Sequence, residues 1–175
     1  MQKLEVECHH IQSEEDIALA WALMCPEFVS AGGNLRDQSV SEFSSFVTEN
    51  GELWTANQKE KLLASLTLER LEGNEQDWIY INNGVVIPEL RRTGSGVMDT
   101  LLETALNDQP PESQLIVLTV TWGIFDRLGF QEVSLGELCK IDPCIGQRIQ
   151  QKIRPNKAVH IGIRLPVPSE KGIHE

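Results

Sequence analysis

The chain has 175 residues, 41% hydrophobic and 23% charged, a length and balance that suit one globular domain with its own core and exclude disordered, collagenous and membrane classes. Its formal net charge of −11 opposes docking on phosphate backbones or anionic bilayers, and no cluster of Lys and Arg offsets it. Neither nucleic acid nor a membrane is therefore expected as a partner. Met1 to Glu7 alternates apolar and charged residues without the apolar run of a signal peptide, so a soluble, cytoplasmic protein is expected.

Leu4, Val6 and Cys8 recur at period two and predict a half-buried first strand over Lys3 to Cys8. Ser13 with Asp16 opens a helix whose apolar positions are Ile17, Ala20, Trp21 and Met24, and Pro26 is expected to close it. Ser39 with Glu42 opens a second helix carrying Val40, Phe43 and Val47, ended by Asn50-Gly51. Strands are predicted at Leu53 to Ala56 and Leu62 to Glu69, then at Trp78 to Ile87, where Asn82-Asn83-Gly84 reads as a bulge or splay. Gly94 to Asp108 reads as the clearest helix, with a stripe of Val97, Met98, Leu101, Leu102, Ala105 and Leu106. Gln114 to Val120 follows as a buried strand, Trp122 to Leu128 as a short helix, and Phe130 to Val133 as another strand. Leu135 to Ile153 is read as helical in parts around Pro143, Ala158 to Leu165 as the closing strand, and the tail beyond Pro166 as frayed. This order predicts an α/β fold with a mixed sheet and a single domain.

The four cysteines, Cys8, Cys25, Cys139 and Cys144, form no CxxC pair, so free and mostly buried thiols are expected. Cys8-His9-His10 has metal-binding residue types, but adjacent strand side chains point to opposite faces, and no metal site is expected.

Chemistry concentrates in Val85 to Val97, which joins a strand to the start of the best helix. A glycine turn at a helix amino terminus leaves backbone N–H groups pointing outward at the positive end of the helix dipole, suited to an anion. Gly94 and Gly96 let phosphate oxygens approach the backbone, and Arg91 and Arg92 add positive charge. GxxxxGK[ST] is absent, and Asp99 stands where a dinucleotide fingerprint needs a third small residue.

The stretch V-x-P-E-x-R-R-x-G-x-G resembles the acetyl-CoA signature of GNAT acyltransferases, with Arg91, Gly94 and Gly96 in the motif positions. Ile124 to Phe130 resembles the short helix and G-F strand start of the same family. Leu115 to Phe130 is similar to N-acetylglutamate synthase and to the arsenic-resistance acetyltransferases. The resemblance covers Glu52 to Leu165 and implies a GNAT-like mixed, largely antiparallel sheet with helices on both faces. Residues 1–50 would then be a helical acceptor-side region, 52–165 the core and 166–175 a tail. It further implies that Arg92, Thr93, Gly94, Ser95, Gly96 and Val97 hold the acetyl-CoA pyrophosphate, and that Gly84, Val85 and Val86 pair with its pantetheine arm. A splay at Asn82-Asn83-Gly84 would expose a backbone group able to polarise the thioester carbonyl.

Two departures stand out. Many GNAT enzymes carry a glutamate base on the strand before this loop, yet none lies between Asp77 and Pro88, where Tyr80 is the nearest candidate for a catalytic group. The family's acid tyrosine is matched by Phe125. An aromatic residue in a strand is more often simple packing, and that reading is favoured for Tyr80 over a catalytic one. His160 is a further candidate base, although a lone strand histidine is usually a surface group. Cys139 and Cys144 lack an activating neighbour, and Glu72, Glu75 and Asp77 read as a solvated acidic turn.

The expected function is acetyl transfer from acetyl-CoA to a small amine, amino acids among the candidates, by a monomer or a homodimer. The alternative is a non-catalytic GNAT-like module that binds CoA as a sensor or partner domain. An acyl-CoA or peptide scaffold is a third reading.

Overall fold

The computed structural model describes residues 4–30, 39–154 and 158–166; the expected frayed tail lies outside them. Seven strands and six α-helices occur among the described residues, and the strand pairings recorded, β1/β2, β2/β3, β5/β7 and β6/β7, are antiparallel. The elements are β1 (Glu7–Ile11), α1 (Glu14–Ser30), α2 (Val40–Asn50), β2 (Gly51–Gln58), β3 (Lys61–Leu71), β4 (Trp78–Val86), α3 (Val97–Asn107), β5 (Gln114–Thr119), α4 (Gly123–Arg127), β6 (Gln131–Val133), α5 (Leu135–Ile141), α6 (Pro143–Lys152) and β7 (His160–Arg164). The expected α/β class and element order are both observed. No helix among the described residues is long and apolar enough to cross a membrane.

The chain divides into two compact units, Met1–Leu71 with Tyr80–Asp108 and Glu72–Ile79 with Gln109–Glu175. In the first the strands lie in the order β1-β2-β3-β4. Ile17, Ala20 and Met24 of α1 and Phe43 and Val47 of α2 form one buried cluster with Leu53 and Val85. Each of these side chains except Ala20 contributes about 1.5–3 kcal/mol by leaving water. Cys8 pairs in register with Ala56, three residues from Leu53 and so on the other face, and its thiol bonds Thr104 of α3. Helices therefore cover both faces of this unit's strands. The apolar stripe of α3 is buried at Val97, Leu101, Leu102, Ala105 and Leu106.

Several boundaries differ from expectation. β1 is Glu7–Ile11 instead of Lys3 to Cys8, because its partner decides the pairing, Glu7 facing Asn57 and Ile11 facing Leu53. His10 thereby stacks on Trp54, ring centroids 5.2 Å apart, and His9 meets Glu7 at 3.7 Å. Pro26 lies inside α1, which continues to Ser30: a proline removes one i→i−4 bond, a local loss that the turns on either side can outlast. α2 opens on the expected capping box, with Ser39 N donating to Glu42 at 2.6 Å and Glu42 N donating to Ser39 Oγ at 3.2 Å. Gly51 is extended and begins β2 directly instead of capping α2 in the left-handed region. The four thiols are half-buried, not mostly buried.

In the second unit the order is β5-β7-β6. The region that sequence left partly assigned resolves into α5 and α6. Asp142 separates them, as N-cap of α6 with Pro143 at its first position. This carboxylate is 5% exposed and accepts from Asn74 N at 2.9 Å, Trp78 Nε1 at 3.2 Å and Ile145 N at 3.0 Å. It thus ties the Glu72 to Asp77 turn to the helix pair.

Candidate functional site

The segment after β4 forms a single 3-10 turn at Pro88–Leu90 and then a loop. Positive φ recurs at alternate residues, Arg92 at 58°, Gly94 at 69° and Gly96 at 72°. Left-handed residues alternating with ordinary ones are the backbone pattern of an anion nest, in which the Thr93 N–H is here taken by the Leu90 carbonyl at 3.5 Å. Arg92 tolerates its torsion at a cost of about 1–2 kcal/mol, whereas Gly94 and Gly96 adopt theirs without a Cβ penalty. The left-handed Gly96 is also why α3 starts at Val97 and not at Gly94 as expected. No side chain caps α3. Arg91 to Gly94 are exposed, so the nest faces solvent. Two positions without a Cβ and the dipole of an 11-residue helix with no side-chain cap are features suited to an anion.

The side-chain bonds recorded for Arg91 and Thr93 are local. Arg91 Nε donates to the Val86 carbonyl at 2.8 Å, and Thr93 Oγ1 to the Leu90 carbonyl at 2.8 Å. Leu4 N donates to the Ser95 carbonyl at 3.3 Å. Arg91 therefore braces the loop against the end of β4, while Arg92 is exposed. Val85 is buried in the α1/α2 cluster and Gly84 is exposed, where an added Cβ would lie 3.6 Å from Met98 Cε.

The expected interruption in β4 is present as a single left-handed residue, Asn83 at φ 52°. The strand continues through it. Asn83 N donates to its neighbour's Asn82 Oδ1 at 2.9 Å and Asn83 Nδ2 to Thr67 Oγ1 at 3.2 Å, while Thr67 Oγ1 donates to the Asn82 carbonyl at 3.2 Å. Asparagine is among the few residues besides glycine that visit this torsion, and here the amide of Asn82, not that of Asn83, takes up the displaced N–H.

Tyr80 is 5% exposed. Burial, and after it the nearby negative charge of Glu69, push its phenol well above the ordinary tyrosine range. A phenol so placed stays protonated and can donate a hydrogen bond but not act as a base near neutral pH. Glu69 is the residue that sequence reasoning passed over: it lies on β3, and only strand pairing brings it near Tyr80.

Phe125 is buried edge-on against Phe130, centroids 5.4 Å apart at 82°. Gly129 takes φ 80° to turn the chain from α4 into β6, and Arg164 lies over the Phe130 ring at 5.6 Å while donating to the Leu128 carbonyl at 3.2 Å. His160 meets Glu132 at 2.6 Å and lies 5.8 Å from the Trp122 ring. Glu132 was not foreseen as its partner, since the pairing depends on β6 lying beside β7. Cys144 Sγ contacts the Glu72 carbonyl at 3.5 Å, and Glu72 meets Arg148 at 3.8 Å on the surface.

With this geometry in view, known structures supply the fold. N-acetylglutamate synthase from Neisseria gonorrhoeae, in a complex with coenzyme A and N-acetyl-glutamate, superposes with a TM-score of 0.65 at 19% identity, over 95% of this chain. The chain has the GNAT acetyltransferase fold. It spans only 36% of that synthase. A GCN5-related N-acetyltransferase from Ralstonia eutropha gives a TM-score of 0.60 at 17% identity, over 74% of this chain and 95% of that one. An acetyltransferase from Streptococcus agalactiae gives 0.58 at 14% identity, over 91% and 98%. No family model matches the sequence, and no curated protein matches it either.

Proposed function

We propose that this protein is an N-acyltransferase that moves an acetyl group from acetyl-CoA to the amine of a small molecule, with amino acids the first class to test. The observation that carries the reading is the uncapped start of α3 behind Gly94 and Gly96, both left-handed, in a chain with an acetyltransferase fold. Acetyl-CoA would supply an activated thioester. The main chain of Arg92 to Val97 would hold its pyrophosphate, and Gly84 to Val86 its pantetheine arm. The amino-acid class is supported by the neighbouring synthase, whose complex contains N-acetyl-glutamate, and by the likeness of Leu115 to Phe130 to such enzymes.

The residues' share of the chemistry is mainly orientation. The acceptor nitrogen forms a bond to the acetyl carbon as the carbon–sulfur bond breaks; the nitrogen gives up a proton, and the sulfur leaves as thiolate to take one from solvent. Tyr80, kept neutral by burial, would donate a hydrogen bond to orient the acceptor without ionising. An acceptor that arrives partly deprotonated needs no dedicated base. The second reading, a CoA-binding module without turnover, is favoured by Phe125 in the acid position. Calorimetry with CoA, followed by assay of CoA release from acetyl-CoA with an amine panel, separates the two. Binding with release supports the enzyme, and binding without release across the panel supports the module.

A further inference from the structure

The face of β2 and β3 that carries Leu53 is polar further along. Thr55 lies directly opposite Ser65 in the antiparallel register, and Thr67 lies opposite Leu53. Asn57 follows Thr55 by two residues, so strand alternation keeps it on the same face. The pairing register shifts between Ala56 and Asn57, an irregularity of the kind that re-aims side chains. Thr67 is satisfied, bonding both Asn82 and Asn83. Its neighbours are not. Thr55 Oγ1, Asn57 Oδ1 and Ser65 Oγ are buried and have no hydrogen-bond partner among the described residues, with Thr55 3% exposed and Ser65 fully enclosed.

Buried polar atoms in native proteins are paired, and the few exceptions mark a bound water, an ion or a functional group. Opposed residues on neighbouring strands place their Cβ atoms about 4.5–5.5 Å apart, and residues two apart on one strand are separated by about 7 Å. The opposed Thr55 and Ser65 hydroxyls can therefore share one atom at hydrogen-bond distance, and Asn57 is the next polar residue along β2 on that face. Three oxygens that can each accept form the complement of a compact donor, and three partners is the usual coordination of an enclosed water. Beside them lies the apolar cluster of Leu53 and Val85 with α1 and α2, which strengthens any bond made there and raises the penalty of leaving it unmade.

We propose that Thr55, Asn57 and Ser65 form a binding site for one small hydrogen-bond-donating group, the O–H of a water or the N–H of an amine. Only the amine arm rests on the acyltransfer reading. The test uses Thr55→Val, which keeps shape and removes the hydroxyl, and Ser65→Ala, each followed by thermal melting and by steady-state kinetics with acetyl-CoA and acceptor varied separately. A site that holds water in the free protein predicts a melting temperature lower by about 2–4 °C in each variant with both KM values unchanged. A site that takes the acceptor's amine predicts an acceptor KM raised about tenfold, the worth of one good hydrogen bond, with the acetyl-CoA KM unchanged and Thr55→Ser restoring it. Equal or higher melting temperatures in both variants, with both KM values unchanged or no turnover to measure, overturn the site. The melting arm is read without any turnover, so failure of the acyltransfer reading leaves it intact.

Discussion

The loop at Arg92 to Gly96 and the β4 face at Tyr80 to Asn83 are the two regions where chemistry was expected, and they are built in opposite ways. The loop works through main-chain torsions that glycine permits, and its side chains bond neighbours in sequence, Thr93 to Leu90 and Arg91 to Val86, with Leu4 N also reaching the Ser95 carbonyl. The β4 face works through side chains whose partners are distant, Asn83 on Thr67 and Tyr80 beside Glu69. Local construction makes a motif readable, and pairing across strands hides one.

The largest effect should come from the loop. Gly94→Val or Gly96→Val places a β-branched residue in the left-handed region and obstructs the nest. Losing two charge-assisted bonds of about 1.5 kcal/mol each weakens CoA binding about a hundredfold. Calorimetry on variants whose circular dichroism matches the parent checks this. Undiminished affinity in both would remove the nest from the account. Ser95→Ala, whose proposed contact is main-chain only, is the matched control and should change affinity by less than about twofold.

A smaller effect is expected on the β4 face, and in a different parameter. Tyr80→Phe should lower kcat about tenfold, the loss of one hydrogen bond, and leave CoA affinity intact. Equal turnover would return Tyr80 to a packing role. The parent's pH–rate profile should show no break from this phenol below about pH 10, the ordinary tyrosine value, because its folded pKa is raised. For stability the sign follows: the folded state keeps the proton that the unfolded state releases above about pH 10, so stability is lost as pH rises beyond that point. Tyr80→Phe should flatten this alkaline decline in melting temperature; an unchanged slope would mean that Tyr80 titrates alike in both states.

The smallest change is expected at the family's acid position. Phe125→Tyr puts a hydroxyl where Phe125 packs on Phe130, and turnover should stay within about threefold while stability falls by about 1 kcal/mol from the buried hydroxyl. A large gain in kcat would show that a proton donor there had been limiting.

The same contrast explains what the sequence revealed of the fold. The capping box at Ser39 and Glu42, the stripe of α3 and the glycine turn before it are all local patterns and were readable as such. Missed were features set by partners: the displaced start of β1, dictated by β2, and the pairs Glu132 with His160 and Glu69 with Tyr80. Asp142 falls between. Asp-Pro is a readable helix-start signal, but nothing local told that its carboxylate would also bind Asn74 and Trp78. Pro26 misled in the other direction, since a helix-breaking residue has a local cost that the surrounding helix can absorb.

The central claim is acetyl transfer to a small amine, and the most direct test is release of free CoA from acetyl-CoA. Amino acids, polyamines, aminoglycosides and basic peptides would be compared at matched concentration across a range of ionic strength. The account predicts release with one or more small amines, insensitive to salt, and its loss in Gly94→Val. Release with large basic peptides alone, falling steeply as added salt screens long-range attraction, would contradict it.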